Sequence, residues 1–224
     1  MKNEIIYTFT TTNDGNLAFH VGDDEKNVIK NRENLALKIG YKNENLVYMN
    51  QIHSANIVVV DENSPKMIDN CDAIITNRKN LPLMVMVADC IPVLMFDEKK
   101  GVICAIHAGR NSTFLKIAQI TALKMIEEFD CKVEDMKAIL GPSIQKCCYE
   151  VSLELVNIVK NSFGEEFVEN RNIDLQGINK KLLEDLGVKN IEVSPICTKC
   201  SNQPYFSYRK EKKTGRFAGI IILK

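Results

Sequence analysis

The chain has 224 residues, 45% of them hydrophobic, and its 29 basic and 29 acidic side chains give a formal net charge of zero. This length and composition predict one domain over residues 1–224 with a substantial core. Nucleic acid and anionic membranes are disfavoured as partners, because both bind strongly basic surfaces. The composition therefore favours a small-molecule substrate.

The N-terminus and the cysteine content both bear on the cellular compartment. The first residues lack a charged segment followed by an apolar core, and no apolar run approaches the roughly 20 residues of a membrane span. We therefore expect a cytoplasmic protein. In a reducing compartment its eight cysteines are expected to be buried thiols, metal ligands or reactive groups rather than disulfides.

Helical periodicity with capping residues, and apolar runs between turn residues, predict the secondary structure. In chain order the predicted elements are strand Ile5–Thr10, helix 25–39, strands Leu46–Asn50, Asn56–Asp61, Asp72–Thr76, Leu83–Val87, Val93–Phe96 and Val102–Ile106, a helix from Ser112 or Thr113 to Phe129, strand Lys137–Leu140, helices Ser152–Phe163 and Leu175–Leu186, and strands Ile191–Val193 and Phe217–Leu223. Helices mixed with consecutive strands predict an α/β or α+β fold with a mixed sheet.

Histidine is scarce, and two of the three histidines follow predicted strands. His53 and His107 lie where strands give way to loops, as does Cys90, and such positions commonly present ligands. Two histidines and a cysteine match the three-ligand pattern of a catalytic zinc site. On spacing alone, hydrogen-bonded histidines and a buried thiol remain the commoner alternative. Strand parity directs Cys104 away from His107, which makes Cys104 a poor ligand.

The sequence also contains one Cys-x-x-Cys pair, Cys197 and Cys200. A structural zinc site needs a second chelating pair, and the adjacent Cys147 and Cys148 do not form the usual chelating turn. A redox role has weak support, because no helix is predicted after Cys200 to lower a thiolate pKa. The sequence therefore favours unligated thiols here.

Two arginines follow this pair, Arg209 in Phe-Ser-Tyr-Arg and Arg216 in Thr-Gly-Arg. A guanidinium group binds phosphate well, so either arginine is a candidate for binding an anion. Solvated surface charge is the alternative for each arginine taken alone.

Ordered motifs along nearly the whole chain carry a family resemblance. They are His20–Asp24, Asn31-Arg32, Gln51–Ser54, Asp72–Thr76, Ala88–Val93, His107–Gly109, Gly141-Pro142, Cys147–Val151, Phe206–Arg209 and Thr214–Arg216. With these motifs the chain resembles the YfiH-like family, also called the laccase-domain or multicopper polyphenol oxidoreductase family.

The resemblance implies a fold, a cofactor and an activity. The implied fold is a layered α/β/β/α arrangement of mixed sheets. The implied cofactor is one zinc ion bound by His53, Cys90 and His107. Members resemble purine nucleoside phosphorylases that cleave adenosine, inosine, guanosine and methylthioadenosine with phosphate, and they also deaminate adenosine.

The resemblance also suggests roles for further residues. Asn16, Gln51 and Arg209 are expected to bind the nucleoside or phosphate, with Arg209 neutralising the phosphate charge. Deamination needs a proton shuttle, for which Asp89 and His20 are the candidates. Asp89 is next to a ligand, so orientation of the ligand or helix capping is its alternative role.

The chain departs from the family pattern in three places. Where the family often has His-Ala-Gly-Trp-Arg-Gly-Thr, residues 107–113 lack the aromatic side chain, and the arginine is either shifted to Arg110 or lost. The N-terminal segment Thr11–Gly15 lacks the family's arginine, and Ser143 replaces a common cysteine. Zinc binding is expected to survive these changes, whereas phosphate handling and turnover are expected to differ.

Three other functions stay open. A multicopper oxidase needs on the order of ten histidines, so three exclude it, but a single copper held by the same His and Cys ligands with Met84, Met86 or Met95 is a less favoured alternative to zinc. A hydrolase with Cys90 as nucleophile and His107 as base is chemically sensible and would include peptidoglycan-precursor editing. A nucleoside-binding protein without turnover is the third.

Overall fold

The computed structural model describes residues 3–224, which form thirteen strands and five α-helices with short 3-10 turns between them. The strands are β1 Ile5–Phe9, β2 Val47–Met49, β3 Ile57–Val59, β4 Met67–Ile68, β5 Ala73–Thr76, β6 Leu83–Val87, β7 Ile91–Asp97, β8 Val102–Ala108, β9 Met136–Leu140, β10 Val168–Glu169, β11 Asn172–Ile173, β12 Asn190–Val193 and β13 Phe217–Leu223. The helices are α1 Glu25–Ile39, α2 Arg110–Phe114, α3 Ile117–Phe129, α4 Leu153–Ser162 and α5 Leu175–Leu186. Within residues 3–224, none of these helices has the length and apolar character needed to cross a bilayer.

Two mixed sheets form the centre of the molecule. The first has the strand order β1-β13-β6-β2-β4, and the second has the order β12-β9-β7-β8-β5-β3. In the first sheet β13 is antiparallel to β6 whereas β2 is parallel to it. In the second, β7 and β8 are antiparallel while β9 and β12 are parallel. The predicted mixed α/β class is confirmed.

Three buried clusters define the layers. One, including Leu35, Met84 and Ile220, lies between α1 and the first sheet. A second cluster joins the inner faces of the two sheets, and a third packs the second sheet against α3, α4 and α5. The order is therefore helix, sheet, sheet, helices, which is the layered arrangement that the resemblance implied.

The long predicted elements agree with the structure, but the helix expected from Ser112 or Thr113 is wrong in outline. The structure has α2 beginning after Gly109, a break at Lys116, and then α3. Lys116 adopts a left-handed backbone with φ of 61°, which a continuous helix cannot contain. Leu115, counted in the apolar stripe, is 55% exposed. The short strands β4, β10 and β11 were not predicted.

Candidate metal centre and its cavity

His53, Cys90 and His107 converge where the ends of several strands meet. His107 is the buried penultimate residue of β8, Cys90 lies in the turn between β6 and β7, and His53 lies in the loop after β2. Their ligand atoms all lie within 4.8 Å of one another. Cys90 Sγ is 3.9 Å from His53 Nε2, and the two imidazole rings are 4.7 Å apart between centroids at 78°. Zinc bonds of about 2.0–2.3 Å fit inside such a triangle.

Asp72 orients two of these residues. Its Oδ1 lies 2.7 Å from His107 Nδ1 and accepts from the backbone N–H of His53 at 3.0 Å, while Oδ2 accepts from the N–H and hydroxyl of Ser54. Burial raises the pKa of a carboxyl, but the hydrogen bonds from His107 and Ser54 prevail and lower the pKa of Asp72 to about 2. An ionised Asp72 fixes a proton on His107 Nδ1, which leaves Nε2 for a metal.

The surroundings of Cys90 favour its thiolate form, which is the form that binds a metal. Although burial raises the pKa of a thiol, His107 and His53 lower the pKa of Cys90 to about 6. Burial lowers the pKa of His107, but Cys90 and Asp72 together raise it to about 9. The donor set thus attracts positive charge, and a metal cation bound between Cys90 and the two imidazoles would replace the imidazolium proton.

Gly109 allows the three ligands to approach. A Cβ atom at this position would lie 2.8 Å from His53 Cδ2, 3.2 Å from Cys90 Sγ and 3.5 Å from a carbon of His107. Any larger residue would therefore push against the ligands. Strand parity is confirmed as well: Cys104 packs in the cluster on the helical side of the second sheet, away from the triad.

The triad opens into a cavity of about 640 Å³. Its walls combine aromatic, sulfur-containing and polar side chains: Phe19, His20, Arg32, Tyr48, Met49, Asn50, Gln51, Met67, Met86, Val87, Ala88, Tyr208 and Arg216 join His53, Cys90 and His107. A cavity of this volume with a few polar groups is typical of small-molecule sites.

Besides the three metal-ligand candidates, two of the predicted catalytic and substrate-binding residues line this cavity. His20 is exposed on its wall, and burial followed by the charges of Arg216 and Arg32 lowers the pKa of His20 below its ordinary value. Gln51 also lines it, and its side-chain amide is paired with the backbone N–H and C=O of Met86 at 2.9 and 2.8 Å. Gln51 thereby fixes the loop that carries His53 against β6.

The other predicted residues, Asn16, Asp89 and Arg209, are not part of the cavity wall. Asn16 is buried, and its side-chain oxygen accepts from the backbone N–H of Arg216 at 2.8 Å. Asp89 uses one carboxylate oxygen for Thr198 Oγ1 and the other for the backbone N–H of Arg209, each at 2.7 Å. The Arg209 guanidinium stacks 4.8 Å from the ring centroid of Tyr149.

Two arginines line the cavity, and the sequence did not predict that both would do so. Arg32 is buried between the rings of Phe19 and Tyr48, 4.5 and 4.2 Å from their centroids. Arg216 donates from Nη1 to the carbonyls of Thr214 and Gly215, both at 3.0 Å. Both arginines belong to the quoted motifs, so the signal was present, but no role was given to Arg32 and Arg216 was only one of two anion candidates.

Four of the remaining cysteines lie closer together than the sequence indicated. Cys147, Cys148, Cys197 and Cys200 form a second group whose sulfur atoms all lie within 4.8 Å of one another. From spacing alone, adjacent Cys147 and Cys148 are a poor partner for the Cys-x-x-Cys pair. In the structure, tertiary contacts between the two loops bring all four thiols together.

Comparisons with known proteins agree with this architecture. Residues 8–224 match the family described as multi-copper polyphenol oxidoreductase laccase. A relative from Corynebacterium glutamicum, named a purine nucleoside phosphorylase, is 38% identical over 93% of this chain and 86% of its own. A relative of the same name from Clostridium acetobutylicum is 32% identical over 100% of this chain and 94% of its own.

Solved structures are similar over almost the full length. The Bacillus licheniformis hypothetical protein YfiH superposes with a TM-score of 0.93 at 29% identity, covering 98% of this chain and 93% of that one. YlmD from Geobacillus stearothermophilus gives 0.91 at 26% identity, with 97% and 91% covered. The family match over residues 8–224, the identity to these relatives and the shared fold lead to one assignment: the chain belongs to the YfiH-like, multi-copper polyphenol oxidoreductase laccase family.

Proposed function

We propose that this protein is a zinc-dependent purine nucleoside phosphorylase that also deaminates adenosine. The observation that carries the proposal is a three-ligand His–Cys–His centre opening into a cavity walled by two arginines and aromatic rings. The names of the relatives support the phosphorylase part of this proposal. The substrates would be purine nucleosides, namely adenosine, inosine, guanosine or methylthioadenosine, together with phosphate.

Zinc suits the donor set because it accepts mixed imidazole and thiolate ligands and often keeps one position open in catalytic sites. Bound at His53, Cys90 and His107, it would supply Lewis-acid polarisation of a substrate or water oxygen. Asp72 would keep His107 in the tautomer that faces the metal. The proposal assumes the cytoplasm, where reducing conditions would keep the cysteines as thiols.

The cavity walls suit a purine nucleoside and a phosphate. The side chains of Tyr48, Phe19 and Tyr208 line the cavity and would offer apolar area for a purine ring. Arg216 is held at the wall by its two carbonyl contacts, and its charge would neutralise phosphate. Arg32 is fixed by its own hydrogen bond to the Leu17 carbonyl at 2.9 Å and adds a second positive charge.

Phosphorolysis moves one bond and one proton. A phosphate oxygen forms a bond to ribose C1′, the C1′–N9 bond breaks with its electron pair remaining on the purine, and the purine takes up a proton. His20, with its lowered pKa, is neutral near pH 7 and would accept a proton from the phosphate and pass it to the base. In deamination the same residue would move a proton from the attacking water to the departing ammonia.

Several predicted residues, in the cavity wall and outside it, would act through others. Asn16 would set the backbone position of Arg216, and Gln51 that of the His53 loop. The role of Asp89 as a proton carrier stays a prediction, and its two existing hydrogen bonds favour a positioning role. Arg209, stacked on Tyr149, would add positive charge beyond the metal ligands.

A Cys–His hydrolase is the second candidate, because the thiol of Cys90 with its low pKa lies against two histidines. Bound zinc would argue against it, since a coordinated thiolate is a poor nucleophile. Copper has less support: Met84 and Met95 lie in cores on opposite sides of the two-sheet stack, and the sulfur of Met86 accepts from Arg32 Nη2 at 3.6 Å.

One experiment separates these functions. Zinc-loaded and copper-loaded protein is incubated with the four nucleosides, with and without phosphate, and the products are resolved by chromatography. We expect free base and ribose 1-phosphate only with phosphate, and inosine from adenosine without it. A fully zinc-loaded protein that forms none of these products overturns both activities, and calorimetric binding without turnover would identify a silent nucleoside binder. A blue absorption band and phenol oxidation with copper would favour the oxidoreductase.

A further inference from the structure

Four cysteines form a compact group away from the His53, Cys90 and His107 centre. Cys147 and Cys148 come from the turn before α4, and Cys197 and Cys200 from the loop after β12. We propose that these four thiolates bind a second zinc ion, which has a structural role. This site is separate from the proposed catalytic function and does not depend on it.

The sulfur spacing is that of metal ligands rather than of a disulfide. Cys147 Sγ and Cys200 Sγ are 3.7 Å apart, and all four sulfurs lie within 4.8 Å of one another. Four sulfurs at about 2.3 Å from a tetrahedral zinc lie about 3.8 Å from each other. A disulfide would bring two of them to about 2.05 Å. The observed group is therefore close to the size of a tetrathiolate site.

Backbone hydrogen bonds shape both loops around the sulfurs. In the first loop the N–H groups of Cys148 and Tyr149 donate to the Gln145 carbonyl at 2.9 and 3.0 Å, which forms the turn that presents two adjacent cysteines. In the second, the N–H of Ser201 donates to the Cys197 carbonyl at 3.0 Å. Adjacent cysteines can thus serve as ligands because the turn, rather than a two-residue spacer, sets their direction.

The loops are also joined to each other beside the cluster. Ser143 and Cys197 form a parallel β-bridge, and the Thr198 N–H donates to the Ser143 carbonyl at 3.0 Å. The cluster is therefore held by both chain segments, and its sulfurs do not depend on one flexible loop for their position.

The electrostatics of one ligand agree with metal binding. Burial raises the pKa values of the Cys147 and Cys148 thiols, whereas at Cys197 the backbone N–H groups of Gln145, Cys200 and Lys199 outweigh burial and lower the pKa to about 7. N–H groups directed at a buried sulfur stabilise a thiolate. A divalent cation would draw the other three sulfurs to the same ionised state.

A four-thiolate site without an open position is typical of structural zinc. Here the ion would tie the turn before α4 to the segment that leads to Arg209. Thr198, inside the Cys-x-x-Cys segment, donates to Asp89 next to the ligand Cys90. The second ion would thereby stabilise the surroundings of the first centre without contacting substrate.

The test counts zinc in full-length protein purified under reducing conditions. Mass spectrometry of metals should find two zinc ions per chain in the wild type and one in His53→Ala. X-ray absorption of His53→Ala should report four sulfur ligands at about 2.3 Å. The double variant Cys147→Ser with Cys200→Ser should also bind one ion, whereas Ser201→Ala, a change in the same loop that removes no thiol, should keep two.

Cobalt loading keeps the test decisive if the double cysteine variant fails to fold. His53→Ala should then give the visible spectrum of tetrahedral cobalt thiolate, and metal should protect four thiols from a disulfide reagent. One zinc in the wild type with none in His53→Ala would overturn the proposal. So would a remaining ion bound by nitrogen or oxygen, or four thiols that react equally fast with and without metal.

Discussion

The two cysteine-containing centres are built differently. The His53, Cys90 and His107 centre has three ligands of two kinds, one carboxylate behind them and a cavity of about 640 Å³ in front. The four-cysteine group has only sulfur donors and lies between two loops tied by backbone hydrogen bonds. An incomplete donor set beside a cavity favours chemistry, whereas a complete one favours structure.

Removing one ligand of the open centre should have the largest effect. His53→Ala should lower kcat/KM for inosine phosphorolysis by more than about 1000-fold, because the metal contributes several kcal/mol to the transition state. Steady-state kinetics with metal analysis would measure this loss. Ile52→Ala, an exposed neighbour in the same loop, is the matched control. Comparable turnover in the metal-depleted variant would remove the functional distinction between the centres.

The second-largest effect is expected from replacing Asp72, the carboxylate that contacts His107. Asp72→Asn should weaken zinc binding at the open centre by up to about 100-fold, since it loses the charge that orients His107. Competition with a chelator measures the affinity, and the four-cysteine group should be unchanged. Asp69→Asn, an exposed carboxylate bonded to Asn50, should have no effect. Equal affinity in both variants would mean that Asp72 only supports the loop.

Replacing the cavity residue Arg216 should have a smaller effect on the kinetics, and the effect should be confined mainly to phosphate. Arg216→Gln should raise KM for phosphate by about 30-fold, because a charge-assisted hydrogen bond contributes about 2 kcal/mol. KM for the nucleoside should change less. Arg78→Gln is the control, since Arg78 pairs with Glu62 at an exposed site. If KM for phosphate stays constant and that for the nucleoside rises, Arg216 contacts the purine instead.

The smallest expected effect is the pH dependence of Cys90 alkylation in metal-free protein. The pKa of Cys90 is lowered to about 6, so its thiolate fraction rises as pH increases through that value. Alkylation of Cys90 should accelerate about tenfold from pH 5 to pH 7 and then level off. Peptide mass spectrometry follows the reaction, and zinc should suppress it at every pH. A rate that keeps rising to pH 9 would indicate an ordinary thiol.

Local patterns were sufficient to predict much of the fold. α1 and α5 have the predicted bounds, because an Asp cap, an apolar stripe and a terminal glycine act within one turn of the chain. The α2–α3 break depends on one left-handed residue, Lys116, which has no distinctive local signal. Long helices were therefore predictable, whereas their interruption was not.

For the candidate site too, local sequence predicted some residues, whereas contacts between distant residues were not predictable. His53, Cys90 and His107 were all found at strand ends, while their assignment to one zinc site needed the family resemblance as well. Long-range geometry decided the rest: Asp72 meets His107 across 35 residues, and Cys147 meets Cys200 across 53. Such meetings depend on strand register and loop docking, which composition and spacing do not encode.

Asp89 connects the two centres, because it contacts a loop of one of them and precedes a ligand of the other. Its backbone has a φ of 92°, uncommon for a residue with a side chain, and its carboxylate spans to Thr198 while its peptide continues into Cys90. If ion binding at one centre shifts this bridge, it changes the affinity of the other by some factor, and thermodynamic linkage requires the reverse effect to be equal. The two centres would then bind zinc cooperatively rather than independently.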